Sequence, residues 1–120
     1  MIEEIVIGWL NSHLPVPVHA KEPDNEYPGD IEMRERPKFC VVQKTGSGRT
    51  NRIRQATIAV QSYAKSIYEA AQLNEQVIEA MDQMVELGSI TAVKLNSDYE
   101  FSRESTKQPR YQAVFDIYYY

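Results

Sequence analysis

The chain has one cysteine, two histidines and five glycines in 120 residues, and each scarcity removes a class of function. A lone Cys40 can form neither an intramolecular disulfide framework nor a cysteine-based zinc site, and it fits a reducing compartment. His13 and His19 flank Pro15 and Pro17 with no carboxylate or cysteine at ligand spacing, so a metal hydrolase or a nucleophilic triad lacks its parts. No apolar run reaches the ~18 residues of a membrane span. Glu3 and Glu4 stand where a secretory leader carries positive charge, so the expectation is a chain made and used without export and without membrane contact. Positive charge is also short: thirteen Lys and Arg stand against seventeen acids, a net charge of -4, which disfavours general binding to nucleic acid.

What is present reads as one α+β domain spanning residues 1–120, with a mostly antiparallel sheet of four to five strands and two helices. Ile2, Ile5, Val6, Trp9 and Leu10 recur at helical spacing, and Glu3 and Glu4 suit the positive end of that helix. Pro15 ends it, because a proline pushes the residue before it out of the helical region. Val16-Pro17-Val18 should be extended, with Pro17 confining it to a sheet edge or a strand start. Residues 20–37 hold Pro23, Pro28 and Pro37, six acids and three bases, and read as a long acidic loop.

From Lys38 the period becomes two: Phe39, Val41 and Gln43 alternate with Cys40, Val42 and Lys44. A second strand, Gln55 to Tyr63, alternates Ile58 and Val60 with Thr57, Ala59 and Gln61. Thr45-Gly46-Ser47-Gly48 lies between them as turn chemistry, which predicts an antiparallel hairpin closing there. Ser66 followed by Glu69 is a capping box and predicts a helix start. The stripe Ile67, Ala70, Leu73, Val77, Met81 and Met84, with Ala71, Ile78 and Val85 beside it, runs to an expected C-cap at Gly88. The solvated face carries Glu69, Glu75, Glu79, Asp82 and Glu86 and no base. Thr91, Val93 and Leu95 begin a further strand, 102–109 reads as a turn, and Tyr111, Ala113, Phe115, Ile117 and Tyr119 alternate with Arg110, Gln112, Val114, Asp116 and Tyr118. The order is α-β-β-β-α-β-β.

The sequence supplies no catalytic, cofactor-binding or metal-binding constellation, and the expectation is a protein that is not an enzyme. The glycine-flanked Lys44 fails the phosphate-loop pattern, since a strand rather than a helix follows. Two features point instead to contact with a partner. Lys44, Arg49, Arg52 and Arg54 form a basic stretch without an acid, and arginine favours fixed pairing with carboxylates or phosphates. Tyr118, Tyr119 and Tyr120 close the chain, and tyrosine suits interfaces because its ring buries area while its hydroxyl tolerates water.

Pro37-Lys38-Phe39, the Lys44-Thr45-Gly46-Ser47-Gly48-Arg49 segment, Ala59-Val60-Gln61-Ser62-Tyr63-Ala64, Ala70-Ala71 and Arg110-Tyr111-Gln112-Ala113-Val114-Phe115 together resemble a family of small phage proteins. It is the family of tail terminator, or tail completion, proteins at the head-to-tail junction of long-tailed phages. The resemblance implies a virion protein, assembled in the host bacterial cytoplasm, with no cofactor. It implies a ring of like subunits, six in number, that caps the tail tube, joins it to the head connector or stopper protein, and lies near DNA in the channel. Another neck or minor tail protein, or a small nucleic-acid-binding module resting on Arg49, Arg52 and Arg54, are the alternatives. The two helices are expected to cover one face of the sheet, with Ile5, Trp9, Val77, Ile78 and Met81 against the Tyr111–Tyr119 set.

Overall fold

The stripe at the start of the chain forms α1 (Ile2–His13), and the apolar alternation that follows builds β1 (Val18–His19), β2 (Phe39–Thr50) and β3 (Ile53–Tyr63). After α2 (Ile67–Asp82) and one 3-10 turn (Gln83–Glu86) come β4 (Ile90–Glu100) and β5 (Arg110–Tyr119). The computed structural model describes residues 2–20, 38–50, 52–100 and 109–120. The acidic loop expected at 20–37 and the turn at 102–109 therefore lie, but for Ala20 and Pro109, outside the described residues.

The strands make one sheet in the order β1-β2-β3-β5-β4. β1 runs parallel to β2, and every other neighbouring pair is antiparallel. The α+β class and the element order are those expected. Pro17 lies just before β1, and its carbonyl accepts the amide of Cys40 at 3.0 Å. Asn11 holds the same edge with its side-chain amide, accepting from the Val18 amide at 3.1 Å and donating to the Val18 carbonyl at 3.3 Å.

Both helices pack on one face. Ile2, Val6 and Leu10 of α1 and Leu73, Val77, Ala80 and Met81 of α2 bury against Cys40, Val42, Ala56, Ile58, Val60, Ala113, Phe115 and Ile117. Trp9 donates its indole N–H to the Ala80 carbonyl at 2.7 Å, fixing one helix to the other. The terminal strand presents Ala113, Phe115 and Ile117 to this core as expected, with Tyr119 packed at its margin. Burying side chains of this size contributes roughly 1.5–3 kcal/mol each.

Three expectations are corrected. The hairpin does not turn at Thr45-Gly46-Ser47-Gly48: those residues continue β2, and pairing runs on to Thr50 opposite Ile53. The connection lies beyond Thr50, with Arg52 in the turn, because β3 pairs along β5 from Arg54 onward and β2 follows it out to Ile53. α2 does not reach a C-cap at Gly88; it ends at Asp82 and tightens into the 3-10 turn, which keeps Met84 buried. Ile5, Ile67 and Val85, assigned to apolar stripes, are exposed. The Ser66 cap is present, its hydroxyl accepting the Glu69 amide at 3.2 Å. The reciprocal half of the box is replaced by Glu69 pairing with Lys38 and Lys65 at 3.7 and 3.6 Å.

Candidate interaction surface

Far along the β2–β3 ribbon, the basic residues meet through an irregularity of register. Lys44 lies opposite Ile58 and Gly46 opposite Thr57, which leaves Thr45 as the extra residue of a β-bulge. Thr45 Oγ1 donates to the Thr57 carbonyl at 3.3 Å. In unbroken alternation Arg49 and Lys44 would point to opposite faces; one extra residue re-phases the strand and brings Arg49 to the helix-bearing face. There it stands directly opposite Arg54, which is paired in turn with Tyr119 of β5. Lys44, Ser47, Gly48, Arg49, Arg54 and Tyr119 line one open groove.

Like charges directly opposite on a sheet repel, and among the described residues no acid lines this groove to offset them. Glu3, in the first turn of α1, lies beside it, with Oε1 3.9 Å from Lys44 Nζ. It belongs to an adjoining hollow lined by Ile2, Ile5, Lys44, Arg54, Tyr119 and Tyr120. At 3.9 Å this contact is too long for a hydrogen bond, and among the described residues Glu3 Oε1 accepts none. The groove thus carries surplus positive charge on an acidic protein and suits carboxylates or phosphates of a partner.

The structure brings together three of the four bases singled out in the sequence. Arg52 stands apart at the hairpin tip, exposed, with φ 70°. The terminal tyrosines separate as the alternation requires. Tyr119 lines the basic groove, while Tyr118 takes the helix-free face beneath Lys94, whose Nζ is 5.5 Å from the ring centre. Tyr120 is exposed, with its amide donating to the Ser89 carbonyl at 3.1 Å.

Sequence reasoning missed a buried polar network on the helix-free face. Arg110 Nη1 donates to Tyr63 Oη at 2.9 Å, and that hydroxyl donates to Gln61 Oε1 at 3.2 Å. Gln61 continues to Gln112 at 3.0 Å, and Gln112 to Tyr99 at 2.6 Å. Phe39 stacks on Tyr63 at 4.5 Å between ring centres, with Val41 beside them. The only signal available was that Arg110 and Gln112 share one alternating set of β5. The partners themselves come from strands far apart in sequence.

The remaining chemistry-bearing residues have local roles. His13 stacks on Trp9 at 3.9 Å and hydrogen-bonds its carbonyl through Nδ1 at 2.8 Å. His19 tilts against Phe39 at 6.0 Å. Cys40 is fully buried beside Ser62 Oγ at 3.7 Å. Among the described residues no group of three or more His, Cys, Asp or Glu side chains converges at metal-binding spacing. No helix is long and apolar enough to cross a membrane. No protein-family model matches the chain, and no curated protein sequence matches it either.

Proposed function

We propose that this chain is a structural subunit at the junction between the head and tail of a long-tailed phage, where like copies close into a ring that terminates the tail tube and joins it to the head connector. The observation that carries the reading is the presence of two unlike charged surfaces on one subunit. A basic groove of Lys44, Arg49 and Arg54 lies at the end of the β2–β3 ribbon. An exposed acidic ridge of Glu75, Glu79, Asp82 and Glu86, without a base, runs along α2 and its 3-10 turn. Rings require such a pair, because a heterologous contact presses one surface against a different one and closes by rotation. The family resemblance supplies the place in the virion, and the tail tube subunit and the head connector are the further partners.

The test is complementation of tail joining. Phage made without this protein should yield separate heads and tails, and adding the purified chain should restore joined particles. Arg49→Glu with Arg54→Glu, folded by circular dichroism, should lower the yield of joined particles by roughly tenfold or more, since reversing two charges at a complementary seam costs several kcal/mol. Normal joining without the protein removes the reading.

A further inference from the structure

We propose that neighbouring copies join edge to edge, the open outer edge of β4 in one subunit pairing antiparallel with the open far half of β2 in the next, so that one sheet runs through the seam. This deepens the ring reading and rests on it only for the closure of the assembly. At one side of the sheet, β4 is the last strand, eleven residues long and, among the described residues, paired only with β5. At the other side, β1 covers β2 at Cys40 and Val41 alone. Beyond those two positions the outer edge of β2 is unpaired among the described residues. Long open edges are templates for a further strand.

The directions are right for this pairing. β2 and β3, β3 and β5, and β5 and β4 are each antiparallel, so β4 runs opposite to β2. A copy placed beside the first by rotation about an axis along the strands therefore offers β4 an antiparallel partner, which is the more stable arrangement per residue. The levels also agree. The row Lys44–Ile58–Phe115–Leu95 crosses the sheet, and the two following rows place Gly46 level with Lys94 and Ser47 level with Val93. Thr45 bulges on one side of the first row and Asn96 on the other. Gly46–Gly48 and Ala92–Lys94 are thus free of bulges at the same height, with Thr91 the next irregularity of β4. Without a slip along the axis, Lys94 meets Gly46 of the next copy, which sets no like charge against it.

Charge and apolar surface on the helix-bearing side favour a second copy as the occupant. Asn74, Ile78 and Asp82 fall on one line of α2 at four-residue spacing, and Asn74 donates to Asp98 of β4 at 3.3 Å. That contact marks the flank of α2 toward β4; exposed Asp82 ends the helix, and the 3-10 turn after it, bearing Val85 and Glu86, packs against β4. On the β2 side, Lys44 and Arg49 point to the same face at the same end of the sheet. Edge pairing sets these bases against Asp82 and Glu86. It also brings exposed Ile5, beside Lys44, toward exposed Val85 and Leu95.

Cysteine cross-linking tests the register. Lys94→Cys with Gly46→Cys places two thiols in facing pairs on the helix-free side of the seam. A side chain at Gly46 meets only ordinary contact, 3.9 Å from Thr57, and native Cys40 is buried and unreactive. Oxidising concentrated protein and assembled tails should give a ladder of disulfide-linked multimers. The yield should exceed that of either single variant by roughly tenfold, since facing Cβ atoms are about 4.5–5.5 Å apart. Lys94→Cys with Ser47→Cys, whose side chains take opposite faces, should give none. Ala92→Cys with Gly48→Cys repeats the test one same-face row away should the first pair fail to fold. Absence of the ladder from both in-register pairs overturns the edge pairing. If tails still join through a ring of intact mass without it, the junction reading stands alone. A full ladder from a protein that joins no tails upholds the pairing and removes the junction role.

Discussion

Cys40 lies beneath the helices on β2, between Val18 of β1 and Ser62 of β3, and burial pushes its thiol up from an ordinary value of 9.0 to about 12, against a smaller lowering by the hydrogen bond to Ser62. In the folded chain the proton is held to about 12, while the unfolded chain releases it near 9. The raised value therefore contributes stability that is whole below about pH 9 and is lost as pH rises toward 12. By about pH 10.5 the native protein should have lost about 2 kcal/mol more than Cys40→Ala loses over the same range, read from urea unfolding of both proteins. Equal losses would show that the thiol reaches solvent in the folded state. The same burial explains why this cysteine offers no chemistry: its thiolate, the reactive form, is suppressed.

Arg52 in the β2–β3 turn has φ 70°, a conformation that costs a side-chain-bearing residue about 1–2 kcal/mol and that glycine adopts freely. Arg52→Gly should therefore stabilise the chain by about 1 kcal/mol in chemical unfolding, because strain is removed from a two-residue connection. A destabilised variant would mean that the guanidinium makes a stronger contact than the strain it sustains. This turn also shows what the sequence could not convey. Gly46 and Gly48 carry the strongest turn signal in the region, yet neither has a positive φ, and both lie in β2 because β3 pairs with β5 beyond them. The α2 stripe was legible to Met84, but the change to a 3-10 turn preserves that stripe and so leaves no mark in it. Lys44, Arg49 and Arg54 were visible as a basic stretch, whereas their common face depends on one bulged residue that composition does not reveal. Tyr63 and Arg110, 47 positions apart, become neighbours only through the β3–β5 register.

At the scale of the molecule, the proposed pairing of the basic groove with the acidic ridge predicts an assembly sensitive to ionic strength. Raising salt from about 0.05 to 0.5 M should weaken assembly by roughly tenfold or more in sedimentation, as the Debye length shrinks to a few ångströms. Arg49→Glu with Arg54→Glu should abolish that sensitivity together with assembly, and an unchanged oligomer would show that charge has no part in the seam. The strand order β1-β2-β3-β5-β4 has a consequence in time as well. β5, the inner strand between β3 and β4, is synthesised after every other element described here. Until it emerges from the ribosome, β3 and β4 cannot meet, and the helices lack Ala113, Phe115 and Ile117 to pack upon. The nascent chain thus carries its β2–β3 ribbon without its inner neighbour until β5 is made, and native pairing waits on this late, sequence-distant partner. The sheet is then closed at once, when a single strand inserts between two already made.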